Sequence, residues 1–109
     1  MVTFALPTKS YTLITGEAGR TLHRNYGLTI GAGEWRALQR AVISEGQYVL
    51  TCDERTAASL LEWFERGFEV ARTGHGLFGE PSTVLSSCRR ASAAIRAALA
   101  ALRPDPTRG

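Results

Sequence analysis

Cysteine is scarce: Cys52 and Cys88 are the only two in a chain of 109 residues. Two thiols cannot staple a small fold together, and no Cys-x-x-Cys pair is present. Histidine is equally sparse, with only His23 and His75. A metal centre would draw three or four ligands from this set at a recognisable spacing, and none exists, so neither a metal nor a cofactor is expected. No apolar run reaches the roughly 18 to 20 residues that span a bilayer, so no membrane association is expected. The apolar residues Phe4, Leu6, Leu13 and Ile14 are interrupted by Pro7, Lys9 and Ser10. A secretory signal would need a positive start and an unbroken apolar core, so the expected location is cytoplasmic. The Gly-x-x-x-x-Gly-Lys-Ser/Thr phosphate loop and the Gly-x-Gly-x-x-Gly dinucleotide fingerprint are both missing, as is any internal repeat.

What remains has the composition of an ordinary globular chain, at 44% hydrophobic and 21% charged residues. The net charge of +3 is mild but uneven. Residues 53–72 carry five acidic and three basic groups, net −2, whereas residues 73–109 carry five basic and two acidic, net +3. Such asymmetry can steer a partner.

The strongest pattern is Asp53 to Arg72, an amphipathic helix. Ala57, Leu61, Phe64, Phe68 and Ala71 share one narrow arc, widened by Leu60, Trp63 and Val70. Asp53 is a good N-cap and Glu54 suits the positive end of the dipole. Gly67 interrupts this helix, at a cost of about 1 kcal/mol relative to alanine. A second long helix is expected over 82–102, with Val84, Cys88, Ala91, Ile95, Ala98 and Leu102 as its seam. A shorter helix is expected over 34–45, with Trp35, Leu38, Ala41 and Val42 on its buried face and Gly46 as its C-cap. Gln47 to Cys52 reads as the clearest strand, Tyr11 to Thr15 as another, and 22–29 as a third. The expected fold is α+β: a small two- or three-stranded sheet packed against three helices, forming one domain over 1–103 with a flexible tail at 104–109.

Three surfaces are candidates for function. The glycine loop at 73–81 offers Gly74, His75, Gly76 and Gly79 as a weak anion site ahead of a helix, or Leu77 and Phe78 as a protein contact. Arg89, Arg96 and Arg103 recur every seven residues along one flank of the last helix. They suit an acidic protein surface, a phosphate backbone, or pairing with Glu62, Glu65 and Glu69. Trp63 and Val70, at the rim of the apolar arc, are expected to be half exposed and to form a homo- or hetero-partner surface. The Gln47–Cys52 strand between them argues against a helix-turn-helix built on 34–44 and 53–72. No spacing singles out His23, His75, Cys52, Cys88 and Asp53 as a catalytic set. The leading expectation is therefore a small non-enzymatic protein-interaction module: an inhibitor, an immunity or antitoxin-like protein, or an adaptor. The alternatives are a nucleic-acid-binding protein using the arginine-lined helix, and a small enzyme or ligand-binding protein centred on the 73–81 loop.

Overall fold

The computed structural model describes residues 1–73 and 81–102. Val2–Pro7 forms strand β1, Thr8–Thr15 helix α1, Glu17–Tyr26 helix α2 and Ala32–Gln39 helix α3. Strands β2 (Val42–Ser44) and β3 (Gln47–Cys52) precede the long helices α4 (Glu54–Thr73) and α5 (Pro81–Ala101). The fold is α+β, with a three-stranded antiparallel sheet in the order β1-β3-β2.

Strand β3 is central. Phe4 stands opposite Leu50, Val2 opposite Cys52 and Leu6 opposite Tyr48. Side chains alternate across a strand, so Val2, Phe4, Leu6, Leu50 and Cys52 all point into the core. Thr3 and Thr51 point the other way, exposed, and their hydroxyls lie 3.1 Å apart. The alternation Val2-Thr3-Phe4-Ala5-Leu6 was the available signal for β1, which the sequence reading left unassigned. Pro7 ends the strand and then serves as N-cap residue for α1.

Among the described residues five helices form where three were expected. Tyr11 to Thr15 and 22–29, read as strands, are helical or lie in the connector after α2. Threonine and tyrosine favour strands, but Ser10, Leu13 and Ile14 are buried together at helical spacing, and packing overrides propensity. Helix α2 crosses the end of α1 closely. A methyl group on Gly19 would lie 2.5 Å from the Ile14 carbonyl oxygen, so only glycine fits there. Gly27, in the left-handed region at φ 69°, closes α2 by donating its amide to the His23 carbonyl, and Leu28 donates to Leu22.

The helix expected over 34–45 stops at Gln39. Val42, Ile43 and Ser44 instead pair with Val49, Tyr48 and Gln47, turning at Glu45 and Gly46, both at positive φ. That turn matches the twist of a tight hairpin, so Gly46 reverses a strand and does not cap a helix.

Helices α4 and α5 are antiparallel, since partners on α5 step back from Arg96 to Arg89 as α4 advances from Glu65 to Phe68. A methyl on Gly67 would lie 3.5 Å from the Cys88 sulfur and 3.7 Å from Leu22, which is ordinary contact. The Ser10 hydroxyl donates to the Ser87 carbonyl (2.7 Å, buried) and ties α1 to α5. The Tyr11 hydroxyl donates to the Leu38 carbonyl (2.7 Å), and its ring stacks on Tyr48 at 3.8 Å.

Two predictions follow from the long helix. Gly67→Ala should raise stability by roughly 0.5–1 kcal/mol, because the helix gains propensity and the added methyl meets no close atom; the shift in urea midpoint reads it. Asp53 accepts the Thr56 amide at 2.7 Å, and hydrogen bonds from Thr56 hold its carboxyl below the ordinary range. A lowered folded pKa gives stability that is present above about pH 4 and lost as pH falls through the folded value. The gap in melting temperature between wild type and Asp53→Asn should therefore close on acidification from pH 7 to pH 2.

Candidate docking site

A cleft of about 640 Å³ opens where α1, α2 and α3 meet. Its apolar wall comes from Ile14 at the end of α1, from Leu28 and Ile30 in the connector after α2, and from Trp35 on α3. Ile14 and Leu28 belong to the core, whereas Trp35 is 41% exposed. Ala37 and Leu38 form the buried face of α3, which leaves the indole of Trp35 toward the cleft.

The polar rim comes from α2. Arg20 and Arg24 both reach Glu17, at 3.3 Å and 3.4 Å. These spacings, three and seven residues along one helix, place all three side chains on one face. One carboxylate shared by two guanidiniums leaves an excess positive charge at the mouth, beside the exposed His23. The ion pairs are solvated and add little stability, and both arginines line the cleft.

The residues singled out from the sequence fall in several settings. Trp63, expected half exposed, is 4% exposed, packed edge-to-face on Phe64 with centroids 5.2 Å apart. Its indole N–H has no hydrogen-bond partner among the described residues. The reason is geometric. The buried face of α4 runs through Ala57, Leu60, Trp63, Phe64, Gly67 and Ala71, rotated by roughly 50° from the arc drawn through Ala57, Leu61, Phe64, Phe68 and Ala71. Val70 is half-buried against the core. Arg89 stacks over Phe68, 5.5 Å from the ring centroid, and Arg96 pairs with Glu65. Among the described residues Glu62 makes no ion pair and Glu69 pairs with Arg72 on its own helix. Gly74, His75, Gly76, Leu77, Phe78, Gly79 and Arg103 lie outside the described residues.

The thiols are chemically quiet. Burial pushes Cys88 up to about 12. Burial, with the carboxylates of Asp53 and Glu34 nearby, pushes Cys52 up to about 11. Both stay protonated near neutrality and are poor nucleophiles. No group of three or more His, Cys, Asp or Glu side chains among the described residues could hold a metal ion. No helix there is long and apolar enough to cross a membrane. Compared with protein-family models, curated proteins and solved structures, the chain matches none of them.

The signal for the cleft was present in the sequence. Glu17, Arg20 and Arg24 have helical ion-pair spacing, hidden by reading 22–29 as a strand. The two tryptophans should separate cleanly in denaturant unfolding. Trp63→Ala should cost about 3–5 kcal/mol, as for a truncated core aromatic, whereas Trp35→Ala should cost less than about 1 kcal/mol.

Proposed function

We propose that this protein is a small non-enzymatic interaction domain that docks another protein into the cleft around Trp35. One observation carries the reading: a partly exposed indole beside an apolar wall, with Arg20 and Arg24 at its rim paired to one shared carboxylate. Tryptophan and arginine dominate the energetics of protein interfaces, above all where an aromatic side chain borders a preformed hollow. The excess positive charge at the rim favours a partner segment that presents an apolar side chain beside an acidic one. Occupation of the cleft would act by occlusion or tethering, as in an inhibitor, an immunity or antitoxin-like protein, or an adaptor. Catalysis has less support. Glu17 is engaged by two arginines, and the buried thiols lie in the core.

Nucleic-acid binding through α5 is the second reading, and Arg89 and Arg96 bear on it. Both are exposed on one flank, but one is stacked on Phe68 and the other paired with Glu65. A phosphate backbone would have to compete with both contacts.

Tagged chain incubated with native lysate at low salt, with and without nuclease, tests the proposal when wild type is run beside Trp35→Ala, Arg24→Glu and the control Arg55→Ala. A stoichiometric protein should survive nuclease, persist with the control and be lost with both cleft variants. With that partner purified, each cleft variant should weaken binding about thirtyfold, the ~2 kcal/mol of an interface hot spot. A partner retained equally by all variants sinks the cleft assignment. Nucleic acid alone, recovered only without nuclease, moves the α5 reading to first place.

A further inference from the structure

A second cleft, of about 390 Å³, lies between the start of α1 and the first turns of α5. Its chemistry differs from that of the Trp35 cleft. Lys9, the chain's single lysine, contributes from α1, and Ser82, Ser86 and Arg90 contribute from α5. Ser82, Ser86 and Arg90 are spaced by four, so they project from one face of the helix. No aspartate or glutamate lines the cleft among the described residues. Among the described residues its lining thus carries two positive charges and no negative one, within a chain whose whole net charge is +3. Neither Lys9 nor Arg90 is in an ion pair among the described residues, whereas Arg20, Arg24, Arg72 and Arg96 each hold a carboxylate.

The two walls are fixed relative to each other. Ser10, next to Lys9, donates its hydroxyl to the Ser87 carbonyl, next to Ser86, in a fully buried bond of 2.7 Å. Lys9 on one wall and Ser82, Ser86 and Arg90 on the other thus line one cleft whose walls are tied together through the core. Two cations and two hydroxyl donors around a hollow match a tetrahedral dianion with several acceptor oxygens. The volume leaves room for a small organic group beyond the phosphorus.

We propose that this cleft binds a small, soluble phosphate monoester, held by Lys9 and Arg90 with Ser82 and Ser86 donating to its oxygens. The site lies toward the start of α1, whose other end forms the Trp35 cleft, and it does not depend on the docking proposal.

Titration of the ¹⁵N-labelled full chain with inorganic phosphate and with glycerol 3-phosphate, at constant ionic strength set with sodium chloride, tests it. Saturable amide shifts should be concentrated in residues 8–10 and 82–90, with the ester binding at least as well as inorganic phosphate. Lys9→Ala and Arg90→Ala should each weaken binding about tenfold, and the double variant should abolish it. Arg24→Ala, at the other cleft, should leave it unchanged. Lys9 and Arg90 are exposed, so melting temperatures should hold and separate lost binding from lost fold. Shifts that rise linearly without saturation, or affinity unaltered in the double variant, would overturn the proposal. Binding only to vesicles containing phosphatidate, with none to the soluble probes, would overturn it equally.

Discussion

The packing of α5 against α4 on one side and β1 on the other is the constraint on which the rest of the molecule depends. Cys88 and Leu22 lie against α4 beside Gly67, on the face where α4 buries Leu60, Trp63 and Phe64. Trp63 then belongs to the core. The α5 face that carries Val84, Ser87, Cys88, Ala91 and Ile95 is drawn over β1 and α1, where the Ser10–Ser87 bond fixes it. Helix α2 packs on α1, α3 packs on α4 and β3, and the Trp35 cleft opens between them.

That dependence explains which parts of the fold were legible from sequence. The strand Gln47–Cys52 and the two long helices were readable because each has a local signature: a β-branched run, an aspartate cap, an apolar seam. The face of α4 was misjudged because a glycine adds nothing to a hydrophobic arc, although Gly67 lies on the buried face beside Cys88 and Leu22. Tyr11 to Thr15 looked like a strand because its side chains favour one. Only the burial of Ser10, Leu13 and Ile14 against distant residues decides for helix, and that information is not local. Strand β1 was missed for the opposite reason, since Pro7 masked the alternation of Val2, Phe4 and Leu6.

The candidate sites follow the same logic. Arginines spaced by seven along α5 were visible, but their occupation by Phe68 and Glu65 is a tertiary fact. The Trp35 cleft and the Lys9–Arg90 cleft each draw residues from elements separated along the chain. The clue to the first was the Glu17, Arg20 and Arg24 spacing. The clue to the second was that the chain's one lysine sits beside a serine that proves to be buried.

The sheet order carries a consequence for how the chain reaches this state. Strand β2 and β3 are joined by a two-residue turn and can pair within microseconds of collapse, but Val2 finds Cys52 only across about fifty residues of intervening chain. During synthesis β1 leaves the ribosome well before its partner, with Val2, Phe4 and Leu6 lacking the strand that will cover one side of them. The hairpin is thus a template prepared early, and the N-terminal strand is the piece that must wait. Its early exposure makes it the segment most in need of protection from association with other nascent chains.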